Sequence, residues 1–149
     1  MRKSIKAILL IVVSLVVFSL PAKADDERPI KFEKMPLAAQ EFIKKYFPGK
    51  EIAVTTQEGR LIEKNYDVIF TDGNKVEFNR SGEWTNVDCK GGTLPDSIVP
   101  APIAGYVAKN FPGVKVRQIE KDNRRYEVEL SNGVDLKFDN SYNLLDVDF

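Results

Sequence analysis

Apolar residues recur along this chain in two rhythms, one with the three-to-four spacing of a helix and one with the two-residue alternation of a strand. Ala39, Phe42, Ile43 and Tyr46 stand at i, i+3, i+4 and i+7, which sets them on one side of a predicted helix. Pro36 suits its first turn, where a missing N–H costs nothing. Glu41, Lys44 and Lys45 take the other side, and Pro48-Gly49 ends the segment. From Glu51 to Gln57 the period drops to two, with Ile52 and Val54 facing one way and Ala53 and Thr55 the other. Tyr66, Val68 and Phe70 line one face of a second predicted strand, and Val76 and Phe78 bring a third to the same face. Asp72-Gly73 joins them as a hairpin, because both central positions of a type I′ turn need positive φ. After Ser81-Gly82, Thr85, Val87 and Cys89 alternate with Trp84, Asn86 and Asp88.

The same order then returns. Phe47-Pro48-Gly49 reappears as Phe111-Pro112-Gly113 at an offset of 64, with Ile103, Tyr106 and Val107 as the helical stripe. At an offset of 60, Tyr126, Val128 and Leu130 match Tyr66, Val68 and Phe70. Asn132-Gly133 matches Asp72-Gly73, Phe138 matches Phe78, and Val147-Asp148 matches Val87-Asp88. Agreement in pattern, turns and identities points to an internal repeat. The expected organisation is a loose leader over 25–34, one unit over 35–89, a glycine-rich connector over 90–98 and a second unit over 99–149.

Each unit reads as a helix followed by four antiparallel strands, too little to bury its own apolar face. Two in tandem predict an α+β domain: one antiparallel sheet of about eight strands, both helices on one face, the other face solvated. The expected buried set in the first unit is Ile52, Val54, Tyr66, Val68, Phe70, Val76, Phe78 and Val87. Asp67, Ile69, Lys75, Glu77, Trp84, Asn86 and Asp88 are expected on the open face, joined from the second unit by Arg117, Leu144 and a series of acids.

Composition changes the picture at the N-terminus. Arg2, Lys3 and Lys6 precede an uncharged run over 7–20, too short to span a membrane comfortably, and Ala22-Lys23-Ala24 supplies the small-x-small pattern of signal peptidase. A signal peptide over 1–24, cleaved after Ala24, predicts a periplasmic or secreted protein. The precursor balances 22 Lys+Arg against 22 Asp+Glu, and four cations leave with the signal, so the mature chain carries 18 against 22, or −4. That argues against nucleic acid or an anionic membrane as partner. A single cysteine, Cys89, excludes an intramolecular disulfide, and the absence of histidine excludes Ser-His-Asp and Cys-His nucleophiles and every His-containing metal site.

The signal peptide, the two helix-plus-four-strand units, the Phe-Pro-Gly helix ends and the Asp/Asn-Gly hairpins together resemble the PepSY-like family of secreted bacterial proteins. That family is similar in fold to the β-lactamase inhibitor protein, whose open sheet face grips an enzyme. The resemblance covers essentially all of the mature chain and implies a secreted, non-catalytic module with a protein or peptide ligand, in one version an inhibitor of an envelope enzyme.

The residues expected to meet a partner are Trp84 and Ile69 as an apolar patch, its counterpart Leu144, Arg117, and Arg124 and Arg125 at a charged hairpin tip. No catalytic, cofactor or metal residue is expected, and the partner is an unidentified envelope protein or peptide met by a monomer. A small-ligand or metal carrier is the alternative reading. A hydrolase using paired open-face carboxylates is the third, and the sequence supplies neither the cleft nor the spacing that such chemistry needs. The bland reading of those acids is a solvated face of cross-strand pairs.

Overall fold

The computed structural model describes residues 26–149; the expected signal peptide and its cleavage site lie outside them. Two prolines open the helices. Pro36 and Pro100, at φ −52° and −53°, immediately precede α1 (Leu37–Tyr46) and α2 (Ala101–Asn110), where proline's fixed φ suits helix entry. Each helix closes through a phenylalanine: the N–H groups of Phe47 and Phe111 donate to the carbonyls of Ile43 and Val107 at 2.9 and 2.8 Å. Gly49 and Gly113 then turn the chain at φ +72° and +78°, a conformation glycine adopts without steric cost.

The strands are β1 (Arg28–Pro29), β2 (Ile52–Glu58), β3 (Asn65–Phe70), β4 (Lys75–Phe78), β5 (Trp84–Asp88), β6 (Val116–Lys121), β7 (Arg125–Leu130), β8 (Asp135–Asp139) and β9 (Leu144–Asp148). They form one antiparallel sheet in chain order, so the fold is α+β. Among the described residues the count is nine rather than about eight, because Arg28 and Pro29 pair with Gln57 and Thr56. Proline is admissible there because β1 is an edge strand, whose unpaired side needs no donor.

The cross-strand register Val68–Val76–Val87–Ile119–Val128–Leu136 runs through the sheet as one buried row. Phe78 and Phe138 share that face and are 0% and 1% exposed. Phe42 of α1 meets Phe78 edge-on at 5.5 Å between ring centroids, and Tyr106 of α2 meets Phe138 in the same way at 5.5 Å. Both helices therefore pack on one face and leave the other open.

Four irregularities break strict alternation. The register skips Ala53, Thr85, Arg117 and Leu145, the pattern of a β-bulge in which two residues oppose one and side-chain parity shifts. Four expected placements change as a result. Val54 pairs with Ile69 and belongs to the open face, while Thr55 takes the buried position beside Val68. Trp84 pairs with Phe78 on the helix side and packs against the core, with its ring 6.4 Å from that of Phe42. Leu144 likewise pairs with Phe138 on the helix side.

Candidate functional site

The open face is built by register. One row runs Asp67, Glu77, Asn86, Glu120, Glu127, Lys137, Asp146, and a second runs Ile69, Lys75, Asp88, Gln118, Glu129, Asp135, Asp148. The two halves of this face differ in charge balance. In the first, Lys75 Nζ reaches both Asp67 and Glu77 at 2.7 Å. Burial opposes the charge of Lys75, yet its hydrogen bonds to the two carboxylates prevail and raise its pKa. Burial also raises Asp67, outweighing the pull of Lys75. At the seam, Gln118 Nε2 donates to Asn86 Oδ1 at 3.0 Å and ties β6 to β5.

The second half is acidic. A hollow of about 240 Å³ is lined by Gln118, Glu120, Glu127, Glu129, Asp135, Lys137 and Asp148, five acids and one lysine. Burial raises Glu120, and the like charges of Glu127, Glu77 and Asp122 add to it. A broader depression of about 480 Å³ lies across the seam and includes Asp67, Glu77, Thr85 and Glu120.

The residues expected to meet a partner do not gather into one patch. Ile69 lies on the open face between Val54 and Lys75, half-buried. Arg117 sits at the β6 bulge and pairs with Glu129, and its Nε is buried without a partner among the described residues. Arg124 and Arg125 are exposed at the opposite end of the β6–β7 hairpin, where both N–H groups donate to Asp122 Oδ1 and the Arg125 side chain pairs with Glu127 at 2.8 Å. Trp84 and Leu144 face the helices, so the expected apolar patch with Ile69 does not exist. Glu120 and Gln118, absent from the sequence expectation, are central to the acidic hollow. Their signal is the spacing of Val116 and Ile119, the apolar pair of β6: three residues apart, they can share a face only across a bulge.

The Cys89 thiol is buried, and that burial pushes its pKa up to about 11, so it stays protonated and weakly nucleophilic. Among the described residues no group of three or more His, Cys, Asp or Glu side chains converges to hold a metal ion.

Residues 64–146 match the family model described as "Putative beta-lactamase-inhibitor-like, PepSY-like". The chain belongs to the PepSY-like family. A solved protein from Bacteroides thetaiotaomicron, described as a "putative calcium-regulated periplasmic protein", is 48% identical, with a TM-score of 0.81 over 85% of this chain and 99% of its own. A Bacteroides vulgatus protein of the DUF2874 family, described as a "putative periplasmic protein", is 46% identical, with a TM-score of 0.82 over the same shares. Another from Bacteroides vulgatus, of unknown function, is 34% identical with a TM-score of 0.77 over 83% of this chain and 99% of that one. No curated protein matches the chain. The periplasmic descriptions of the solved relatives support the location expected from the N-terminus.

Proposed function

We propose that this PepSY-like protein is a non-catalytic periplasmic module that binds a protein or peptide through its open sheet face and hairpin loops. The observation that carries the reading is the open face itself: two long, mostly polar rows of side chains with shallow depressions, a shape suited to a broad partner. The acidic second half favours a partner surface rich in Lys and Arg. We read the two halves as copies of one helix-plus-four-strand unit; bulges at matched strand positions and the twin 5.5 Å contacts of Phe42 with Phe78 and Tyr106 with Phe138 support this. Used as bait in a native envelope fraction at low salt, the exported protein is expected to retain a partner that the double variant Glu120→Lys, Glu127→Lys loses. Equal capture by both would overturn the open-face reading.

A metal carrier is the second reading, favoured by the acidic hollow and by the calcium in one relative's description. Calcium takes six to eight oxygen ligands, and the described residues offer no convergent set that fits it. Calorimetric titration with calcium distinguishes the readings: saturable, stoichiometric heat would replace the peptide ligand by the metal.

A further inference from the structure

The two strands β5 and β9 hold matched positions with different outcomes. Val87 of β5 pairs with Val76 on one side and with Ile119 of β6 on the other. Val147 of β9 pairs with Leu136 on one side, and among the described residues no strand pairs with its other side. The exposed edge is not bland. Leu144 and Leu145 are 39% and 60% exposed, although they belong to a strand. The Val147 N–H donates to the Asp146 carboxylate of its own strand at 3.0 Å, so it points away from the β8 ladder and is covered by a side chain instead. Among the described residues Asp146 is otherwise held only by Lys137, at 3.6 Å.

We propose that the outer edge of β9 is a strand-addition site for an extended peptide segment whose residues alternate cation, apolar, cation. This deepens the binding-module reading and rests on it, naming an edge and a partner chemistry. The template is internal. β6 lies against β5 with Glu120, Ile119 and Gln118 opposite Asn86, Val87 and Asp88. On β9 the corresponding residues are Asp146, Val147 and Asp148, so the apolar centre is kept and Asn86 is replaced by an acid. An incoming strand in the β6 position places an apolar residue against Val147 and must answer Asp146 and Asp148 with Lys or Arg. Asp148 also lines the acidic hollow, which extends the field those cations would meet. In the free protein Asp146 acts as a latch. On docking, the Val147 N–H passes to a partner carbonyl and the freed carboxylate turns to a partner cation. A second copy of this chain does not fit. Antiparallel β9–β9 pairing centred on Val147 sets Asp146 against Asp148 at both ends, and directly opposed like charges destabilise a sheet.

The test uses exported protein and capped peptides of about seven residues, the length of one added strand. One alternates Lys and Val, one alternates Glu and Val, and one has the composition of the first with its lysines blocked together. The Lys-Val peptide is expected to bind, to weaken with salt and to slow exchange of the Val147 amide; the Glu-Val peptide is expected not to bind. Asp146→Asn should weaken binding about two- to fivefold, the worth of one exposed ion pair. Val147→Pro should abolish it while the circular dichroism is kept, since proline is tolerated where an edge N–H faces outward. If that variant does not fold, Asp146→Lys decides instead: it should shift preference toward the Glu-Val peptide. Equal binding of the blocked peptide, an unchanged Val147 amide, no binding by the alternating peptide, or a dimer in sedimentation that already protects β9 would each overturn the proposal. None of these results touches capture through the open face, so the two readings fail separately.

Discussion

Lys121 holds its ammonium 4.3 Å from the centroid of the Trp84 ring. Phe42 meets that ring from α1, with centroids 6.4 Å apart, so the single tryptophan is wedged between a helix and a strand cation. A cation over an aromatic face at a partly exposed site contributes about 0.5–1 kcal/mol. Lys121→Ala should therefore lower stability by about that amount and make Trp84 emission more readily quenched by iodide. Trp84→Ala should cost up to about 3 kcal/mol, the low end for a large core aromatic because the ring is only half-buried. Emission resembling free indole in the parent protein would contradict this placement.

The two buried phenylalanines under the helices give a matched pair. Phe78→Ala and Phe138→Ala should each cost about 3–5 kcal/mol, the range for deleting a buried ring. Urea denaturation followed by fluorescence and by circular dichroism should remain one coincident transition in each variant, because β5 and β6 join the halves into a single sheet. Separate midpoints for the two probes would show that the halves melt independently.

What the sequence disclosed and what it hid divide along a physical line. Phe47-Pro48-Gly49 and Phe111-Pro112-Gly113 mark both helix ends in plain residues, and Tyr66, Val68 and Phe70 show their common face because β3 alternates without interruption. Trp84, Val54 and Leu144 were misplaced for one shared reason. A bulge shifts parity through backbone geometry, and Thr85, Ala53 and Leu145 carry no glycine or proline to announce it. The short β1 was hidden behind Pro29, which reads as a strand breaker until the strand is known to be at the edge. The acidic hollow needs residues from β6 through β9 in register, a relation that no local window contains.

Two open-face charges should move stability with pH in the same sense, at opposite ends of the range. Burial and neighbouring acids raise Glu120, so the folded state holds its proton more tightly than the unfolded chain does. Ionisation of such a group opposes folding: stability falls as pH rises from the ordinary carboxylate value through the raised one, and the deficit then stays constant. Glu120→Gln should accordingly be more stable at pH 7, by no more than about 0.5 kcal/mol given solvent screening. The advantage should vanish below about pH 4, where the parent carboxyl is protonated in both states. Lys75 is raised too, so its own titration leaves stability untouched below its ordinary value and lowers it as pH climbs beyond. Lys75→Met should lose about 1 kcal/mol at pH 7, and less in acid once Asp67 and Glu77 are neutral. Thermal melts of the three proteins from pH 3 to pH 11 check both ends.

The last prediction sets Gly82 against Tyr142, which occupy the same position in two hairpin turns. The N–H of Gly82 donates to the Asn79 carbonyl at 3.0 Å and that of Tyr142 to the Asp139 carbonyl at 2.9 Å. Both residues take positive φ, +85° and +65°. Only one of them has room for a side chain. A Cβ on Gly82 would lie 2.8 Å from Pro36 Cβ and 3.0 Å from the Ala39 nitrogen, since this turn is tucked under the start of α1. Gly82→Ala must therefore bear a left-handed penalty of about 1–2 kcal/mol together with a clash against backbone. We expect a loss of at least about 2 kcal/mol by urea denaturation. At Tyr142 the left-handed strain is already present and is offset by the ring, which lies 5.4 Å from that of Tyr126. Tyr142→Gly relieves the strain but gives up an aromatic contact of about 0.5–1.5 kcal/mol, so the two changes nearly cancel. A shift within about 1 kcal/mol of zero is expected there. Equal losses at the two positions would mean that the turn itself, rather than its approach to α1, sets the requirement for glycine.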